Sequence, residues 1–277
     1  MSTFYETLTE AVAWFSEHGY TSAKKVDEWV ARIQSAAKRS LISERELDKQ
    51  LRATLSAIYA RLLRPGGMQQ YQIGEPRFTV ANIRPKLRAE LDRRILASAN
   101  LIKLNRETAI QKTLQRFQGW ATSIPAGGSD ATGRQAAKGE IRKALAQLPF
   151  EERRVAIDQG HKLVSSINSI VAHDGGAIAA KWRSHYRQAG YDYREDHKER
   201  DFDVARSMYL IRDSWAHQRG YVKPGKLGYL DEVTQPGFEP FCRCSCVYVF
   251  SLNKMPDDML TAKGREARDR ARDAVAG

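Results

Sequence analysis

Long apolar runs are missing from this sequence. No stretch of about twenty apolar residues, the length that a membrane-crossing helix requires, occurs in its 277 residues. The first residues, Met1–Glu6, also lack the basic start and the apolar stretch of a signal peptide. We therefore expect a soluble chain that is not exported by that route.

Cysteine is scarce and confined to one place. The three cysteines, Cys242, Cys244 and Cys246, are too close together for an ordinary disulfide framework, and their number is odd. This pattern is typical of a protein from a reducing compartment such as the cytosol.

The common motifs of enzymes are also missing. The sequence has no Walker A, dinucleotide-binding or zinc-protease motif, and no Cys-His enzyme signature surrounds its cysteines. We therefore predict a protein without enzymatic activity.

Positive charge is present in excess. The chain has 45 Lys and Arg residues against 33 Asp and Glu residues, which gives a net charge of +12. This balance favours polyanions or acidic proteins as partners, although a protein can be basic without such a partner. The most basic segment is 84–116, where the alternative is a solvated helix face whose arginine stems cover apolar neighbours. Our predicted contacts for DNA or an acidic partner are the first five cations of that segment: Arg84, Lys86, Arg88, Arg93 and Arg94.

Apolar periodicity predicts helices over the first third of the chain. Apolar residues recur at helical spacing from Phe4 onward, and Gly19 should end that helix. A second helix should begin near Ser22, and Ser43 with Glu46 has the form of a capping box at the start of a third. The third helix carries an apolar stripe of Leu47, Leu51, Leu55, Ile58 and Leu62.

Two breaks divide the middle of the chain. Glycine and proline interrupt the periodicity at 65–85 and at 124–130, and we expect loops there. Between them a long helix should run from Lys86 to about Phe117. Short helices are predicted after the second break, at Arg134–Leu148, Phe150–Ala172 and Gly176–Ala189.

The pattern changes after Gly190. Residues 207–212 and 241–250 have the composition of strands, separated by a stretch rich in glycine and proline. We therefore predict a mainly α fold with a small α+β domain near the C-terminus. The expected division is a basic helical region at 1–150, an α+β domain at 151–256 and a mixed-charge helix at 257–277.

The cysteine segment offers a metal site. If 241–250 is a strand, Cys242, Cys244 and Cys246 point to one side, and together with His197 they could form a Cys₃His zinc set. Their spacing differs from the usual spacing of structural zinc ligands, and the same side of the strand continues into aromatic residues. Buried core cysteines are therefore an alternative, and a redox role is another.

An acidic cluster precedes the cysteines. Clustered carboxylates can bind Mg²⁺, as in a nuclease, but cations alternate with them here as in a self-paired, solvated loop. His185 or His197 with Cys242 is the other catalytic pairing that the sequence offers. The members of the acidic cluster are Asp192, Glu195, Asp196, Glu199, Asp201 and Asp203.

The order of segments in the last third resembles a known family. Lys181–Asp192 is followed by Arg194–Asp201, by Tyr209–Asp213 and finally by Pro240–Cys244 with its Cys-Arg-Cys element. Over about residues 155–252 this is similar to the C-terminal domain of the phage Mu F-like minor head, or head-morphogenesis, proteins. In that family a helix leads into a strand pair, and a Pro-x-Cys-Arg-Cys-like element closes the domain. Here Glu239 and Pro240 stand where the family commonly has a His-Pro pair.

The resemblance implies a minor structural protein of a tailed-phage head. Its expected partners are portal or capsid proteins and packaged double-stranded DNA, bound without sequence specificity; self-association is left open. The expected location is the virion, and the host cytoplasm during assembly, with no membrane contact in the assembled head. No cofactor is expected other than zinc at the cysteines. The alternative functions are a metal-dependent nuclease or toxin-like enzyme, and a zinc-stabilised nucleic-acid-binding module.

Overall fold

The computed structural model describes residues 3–64, 67, 72–73, 80–129, 133–202 and 208–276. Among them the fold is mainly helical with a small sheet towards the C-terminus, which confirms the predicted fold class. None of the described helices is both long enough and apolar enough to span a bilayer. In chain order the elements are α1 (Phe4–His18), α2 (Ala23–Ser40), α3 (Glu44–Leu62), β1 (Gln72–Ile73), α4 (Val80–Ser123), α5 (Arg134–Asp174), β2 (Ala179–Arg183), α6 (Glu195–Phe202), β3 (Tyr209–Leu210), α7 (Trp215–Gln218), β4 (Ser245–Val249) and α8 (Ala262–Ala276).

Local signals set the helix ends in the first third, as predicted. Gly19 follows α1 with a φ of +70°, a conformation that glycine adopts without strain. The Ser22 side chain caps α2 by accepting the N–H of Lys25 at 3.2 Å. At the start of α3 the hydroxyl of Ser43 accepts the N–H of Glu46 at 3.2 Å.

The middle of the chain differs from the prediction. Helix α4 begins at Val80, inside the expected break, and contains Pro85; helix α5 runs through Pro149, where we predicted the end of a short helix. An interior proline lacks an N–H and costs a helix about 3 kcal/mol. Burial of Leu87 and Leu148 on these helices offsets that cost, which local propensity alone does not predict. Residues 65, 66, 68–71 and 74–79 of the expected break lie outside the described residues.

The chain divides into two compact units built from interleaved segments. The first unit contains Met1–Arg52 and Leu96–Ala156, and the second contains Ala53–Ile95 and Ile157–Gly277. This differs from the expected division near residue 150, because α3, α4 and α5 each contribute one part to the first unit and one to the second.

The core of the first unit joins α1 and α2 to the C-terminal part of α4. The rings of Phe15 and Phe117 meet edge to face with centroids 5.8 Å apart. The larger buried side chains of this core are Leu8, Val12, Phe15, Trp29, Ile33, Ile110, Leu114, Phe117 and Ile141.

The helical part of the second unit has its own core. The C-terminal half of α3, the start of α4 and the second half of α5 pack around it. Its buried side chains are Leu55, Leu62, Ile83, Leu87, Leu91, Ile95, Leu163, Ile167 and Val171.

A sheet of strand order β1-β4-β2-β3 completes the second unit. β2 is antiparallel to both β3 and β4, and β1 is parallel to β4. One face buries Trp182, Cys246 and Tyr248, whereas the other buries residues such as Leu210 and Val249. The first of these faces continues into the other two cysteines and forms the candidate site.

The sheet corrects three sequence predictions. Residues 176–189, predicted as a helix, contain β2, because Ala179–Arg183 pairs with Ser245–Val249 across the whole length of β4. β4 begins at Ser245 rather than at 241. The strand expected at 207–212 is reduced to Tyr209–Leu210, and Ser207 lies outside the described residues.

Candidate metal centre

Two cysteines and one histidine bring their ligand atoms together in the second unit. The Nδ1 atom of His197 lies 3.6 Å from the Sγ of Cys242 and 3.5 Å from the Sγ of Cys244. The three ligand atoms all lie within 4.8 Å of one another. Each side chain is at most 4% exposed, so the group is shielded from bulk water.

These distances fit tetrahedral zinc. With Zn–S bonds of about 2.3 Å and Zn–N bonds of about 2.0 Å, tetrahedral angles place a ligating nitrogen about 3.5 Å from a ligating sulfur. Both nitrogen–sulfur distances agree with that value. Two thiolates and a neutral imidazole are also the donor types that zinc prefers. His197, Cys242 and Cys244 could therefore hold zinc, with a fourth coordination position left for another donor.

Two elements supply the ligands. His197 lies in the first turn of α6, where its N–H is 3.1 Å from the carbonyl of Arg194. Cys242 and Cys244 lie in the irregular segment just before β4. Phe241 precedes them in the left-handed region, with a φ of +59°. Such a φ is uncommon for a bulky residue and turns the backbone towards α6 without a glycine.

The sulfur atoms have donors beside them. The backbone N–H of Gly237 lies 3.4 Å from Cys242 Sγ. The Ser184 hydroxyl and the Trp182 indole N–H both lower the pKa of Cys244. The hydrogen bond between Cys244 and Cys242, together with burial, raises that pKa by more. Neither of these two donors has a hydrogen-bond partner of good geometry among the described residues. A thiolate on Cys244 would accept from both.

The imidazole of His197 has carboxylates on its other side. With Nδ1 directed at the sulfurs, Nε2 lies 3.5 Å from a carboxylate oxygen of Glu239 and 3.8 Å from one of Asp196. Zinc-bound histidines commonly direct the second ring nitrogen at a carboxylate, which fixes the ring and raises its basicity. The Trp182 ring packs edge to face on the same imidazole, with centroids 5.2 Å apart.

The two thiols share a proton. A hydrogen bond from Cys244, aided by the Gly237 N–H, lowers the pKa of Cys242 to about 5. The same bond to Cys242, together with burial, raises the pKa of Cys244 well above its usual range. The hydrogen bond between the two thiols therefore favours the thiolate on Cys242, and a divalent cation would displace the proton of Cys244.

Cys246 is not part of this group, which corrects the predicted Cys₃His set. Because the strand begins only at Ser245, Cys242 and Cys244 leave the sheet while Cys246 stays in it, opposite Trp182. Burial raises the pKa of Cys246 to about 12, so it is a neutral thiol in the core. Cys246 is thus a core cysteine, and the metal hypothesis is left with His197, Cys242 and Cys244.

The acidic cluster forms ion pairs instead of converging. Asp201 accepts the N–H of Ser184 at 2.9 Å and lies 3.5 Å from Arg183. Within α6, Asp196 pairs with Arg200 and Glu195 pairs with Lys198. In the part of the chain that the structure describes, no group of three carboxylates gathers as metal ligands do. Asp203 lies outside the described residues. His185 is exposed and is not a member of the group formed by His197, Cys242 and Cys244.

The five basic residues of α4 that we predicted as contacts differ in their exposure to solvent. Arg84, Lys86, Arg88 and Arg93 are exposed. The last three form ion pairs with Asp174, Asp92 and Glu90, respectively. Arg94 is instead buried, where it pairs with Glu90 and donates to Ser166, so its guanidinium faces the interior and not a partner.

Sequence reasoning missed some residues that support the centre. The buried carboxylate of Asp158 accepts the N–H of Phe241 at 2.6 Å, a contact between positions 83 residues apart. Trp182 and Ser184 were part of a predicted helix, so the sequence did not place them beside sulfur. No short-range pattern connects these positions to the cysteines, since the sheet brings them together.

No family model, curated protein or solved structure matched the chain.

Proposed function

We propose that this chain is a minor structural protein of a tailed-phage head, acting at the portal vertex, in which zinc bound by His197, Cys242 and Cys244 stabilises the C-terminal part. The proposed location is the virion, and the host cytoplasm during assembly. Portal or capsid proteins are the proposed partners.

One observation carries the proposal: three of the four segments on which the resemblance rests meet at one buried centre. Trp182 comes from Lys181–Asp192, His197 from Arg194–Asp201, and the two sulfurs from Pro240–Cys244. The first two of these segments are almost adjacent, whereas the third lies about forty positions later in the chain. A shared metal centre gives a physical reason for the three to occur together. Structural zinc sites stabilise small domains in this way.

The burial of the centre supports a structural rather than a catalytic role. A hydrolytic zinc needs a position open to substrate, whereas all three ligands here are almost completely covered. Three carboxylates of the acidic cluster, which a nuclease would use, are engaged in ion pairs within and beside α6: Glu195, Asp196 and Asp201. The geometry therefore supports the nuclease alternative less well.

The first test is native mass spectrometry of the purified chain with the portal protein encoded in the same genome. A complex of defined stoichiometry is the expected result. The control is a mixture with an unrelated ring-shaped protein of similar charge. Absence of a portal complex, together with DNA cleavage that requires a divalent metal, would favour the nuclease alternative and overturn the proposal.

A second test concerns DNA. The side chains of Lys86, Arg88 and Arg93 are each more than half exposed, and the carboxylates that pair with Lys86 and Arg88 are at least partly exposed, so DNA phosphates can compete for these cations. The carboxylate that pairs with Arg93 is that of buried Glu90. Changing Arg84, Lys86, Arg88 and Arg93 to Glu should abolish salt-sensitive retention on double-stranded DNA. Arg94 is left unchanged because it is buried.

The matched control for that variant is α8. Changing four of its five basic residues, Lys263, Arg265, Arg270 and Arg272, to Glu alters the net charge equally, but this helix carries balancing acidic residues. The control should keep more of the DNA retention. Equal loss in both variants would mean that net charge alone attracts DNA and that α4 has no special role.

A further inference from the structure

Aromatic side chains gather on the surface beside the cysteine segment. Tyr186, Tyr191 and Tyr193 follow β2 and are each partly exposed. Tyr186 and Tyr193 meet edge to face, with centroids 6.2 Å apart. Phe241, just before the first cysteine, is 46% exposed, and its carbonyl accepts the hydroxyl of Tyr191 at 3.3 Å.

A cation accompanies each tyrosine of this group. Arg187 lies 5.1 Å from the ring centroid of Tyr186, and Arg243 lies 5.4 Å from that of Tyr191. The third ring, that of Tyr193, has the Lys198 ammonium at 5.3 Å. Each tyrosine ring therefore has a cation beside it. We call the surface of Tyr186, Arg187, Tyr191, Tyr193, Phe241 and Arg243 the aromatic–cationic surface.

The backbone holds this surface rigidly. The Tyr191 hydroxyl donates to the Phe241 carbonyl and accepts the N–H of Arg243 at 3.2 Å. Buried Asp158 accepts the N–H of Phe241, and this contact helps to maintain the left-handed φ of that residue. The ring of Phe241 is thus held towards solvent, because hydrogen bonds to Tyr191 and Asp158 fix the backbone of that residue.

This combination matches one class of partner. Aromatic faces stack on unpaired bases of any sequence, and cations placed between them neutralise the phosphates of the same strand. Two acidic side chains near the surface are themselves engaged, Glu195 with Lys198 and Glu239 with Arg194. Asp192, between Tyr191 and Tyr193, is exposed, so the cations have to outweigh one carboxylate at this surface. An apolar pocket in a partner protein would fit Phe241, but it would not explain a cation at every tyrosine.

We propose that the aromatic–cationic surface binds single-stranded nucleic acid, with bases stacked on its rings and phosphates held by Arg187 and Arg243. This site is separate from the double-stranded DNA contacts proposed on α4. It does not depend on a role in a phage head.

The test is fluorescence anisotropy of the full chain with a labelled oligothymidylate of about twenty nucleotides, long enough to span a binding surface of this kind. Phe241→Leu keeps an apolar side chain but removes the stacking face, so affinity should fall about tenfold, in line with the stacking contribution of one base. Phe241→Tyr keeps the face and should bind within about twofold of the original. A pocket in a protein partner would make no such distinction in this assay.

Tyr5→Leu is the matched control. Tyr5 is also an exposed ring flanked by cations, with Arg142 at 5.5 Å and Lys138 at 5.8 Å, but it belongs to the first unit. Its replacement should leave the affinity unchanged, and thermal unfolding of every variant should match that of the original. A duplex of the same length should compete poorly for the surface.

Three results would overturn the proposal. They are absence of binding at low salt, equal affinity of Phe241→Leu and Phe241→Tyr, and equal loss of affinity in Tyr5→Leu. The last would show that any exposed ring of this basic chain contributes. Each result is distinct from failure of the portal test, which uses a different partner.

Discussion

Cys242 and Cys246 have the same side-chain chemistry and almost the same burial, yet they differ in what surrounds the sulfur. Cys242 has an imidazole nitrogen, a thiol and a backbone N–H beside it, and its pKa is lowered to about 5. Cys246 is surrounded by the core of the sheet, and its pKa is raised to about 12 by burial alone. This contrast supplies a test with an internal control.

We predict that Cys244→Ser abolishes zinc binding while Cys246→Ala does not. The first change removes a thiolate ligand, so bound zinc measured by elemental analysis should fall from about one ion per chain to almost none. The second leaves a small cavity in the core and should retain the ion, at a cost of about 1 kcal/mol or more in stability. Equal zinc content in the two variants would exclude the proposed ligand set.

On helix α4, two ion pairs of the same spacing lie in opposite environments. Glu90 and Arg94 are both less than a tenth exposed, whereas Arg88 and Asp92 are about half exposed. Glu90 also accepts two hydrogen bonds from Arg93. Losing one partner of a buried pair leaves an uncompensated charge inside the protein, but an exposed charge is solvated by water.

Glu90→Gln should therefore destabilise the protein by about 3 kcal/mol, and Asp92→Asn by less than about 0.5 kcal/mol. Urea unfolding followed by circular dichroism measures both. A small effect of Glu90→Gln would mean that water reaches the guanidinium of Arg94 and solvates its charge.

Pro149 lies in the interior of helix α5, and its replacement tests whether that helix is continuous. The helix continues from Arg134 to Asp174 through this residue, so the ring removes an interior hydrogen bond. Pro149→Ala should stabilise the protein by up to about 3 kcal/mol, the difference between the two residues in a helix interior. Unfolding by urea should shift to higher concentration; a shift to lower concentration would indicate that α5 is interrupted at Pro149.

The helices and strands show which parts of the fold could be predicted from the sequence. Gly19, Ser22 and Ser43 act on residues within one helical turn, so the helix ends in the first third were predicted correctly. The segment around β2 is rich in alanine and was predicted as a helix, because its pairing with β4 involves residues more than sixty positions away.

The candidate site follows the same rule. Residue types alone indicated Cys242, Cys244 and His197 as ligands. The error at Cys246 arose from an assumed strand over 241–250, whereas Phe241 with its left-handed φ ends the regular geometry before β4. The buried acceptor Asp158 and the donors Trp182 and Ser184 depend on tertiary contacts that no local pattern encodes.

At the scale of the whole molecule, the interleaved units predict how fragments behave. The second unit takes Leu55, Leu62, Leu87 and Leu91 from residues before 96, and these pack with Leu163 and Val171. A fragment of residues 151–277 lacks the first set, so it should be poorly folded, with weak dispersion in its amide NMR spectrum.

Adding the fragment 1–150 to 151–277 should restore dispersed signals, since it supplies the missing core residues. A fragment extended to 53–277 also contains every segment of the second unit and serves as the positive control. Well-dispersed signals from 151–277 alone would contradict the interleaved arrangement and favour consecutive domains.

His197 and Cys242 lie 45 positions apart, with β3 and α7 between them. In the proposed zinc-bound state the ion ties these two points and closes a loop. By the chain-entropy relation for disulfides, closure of a loop of that length lowers the entropy of the unfolded chain by an amount that is equivalent to about 4 kcal/mol of stability. Unlike a disulfide, this tie forms in a reducing compartment and can be undone by loss of the ion. The stability of the second unit is therefore linked to the concentration of free zinc around the protein.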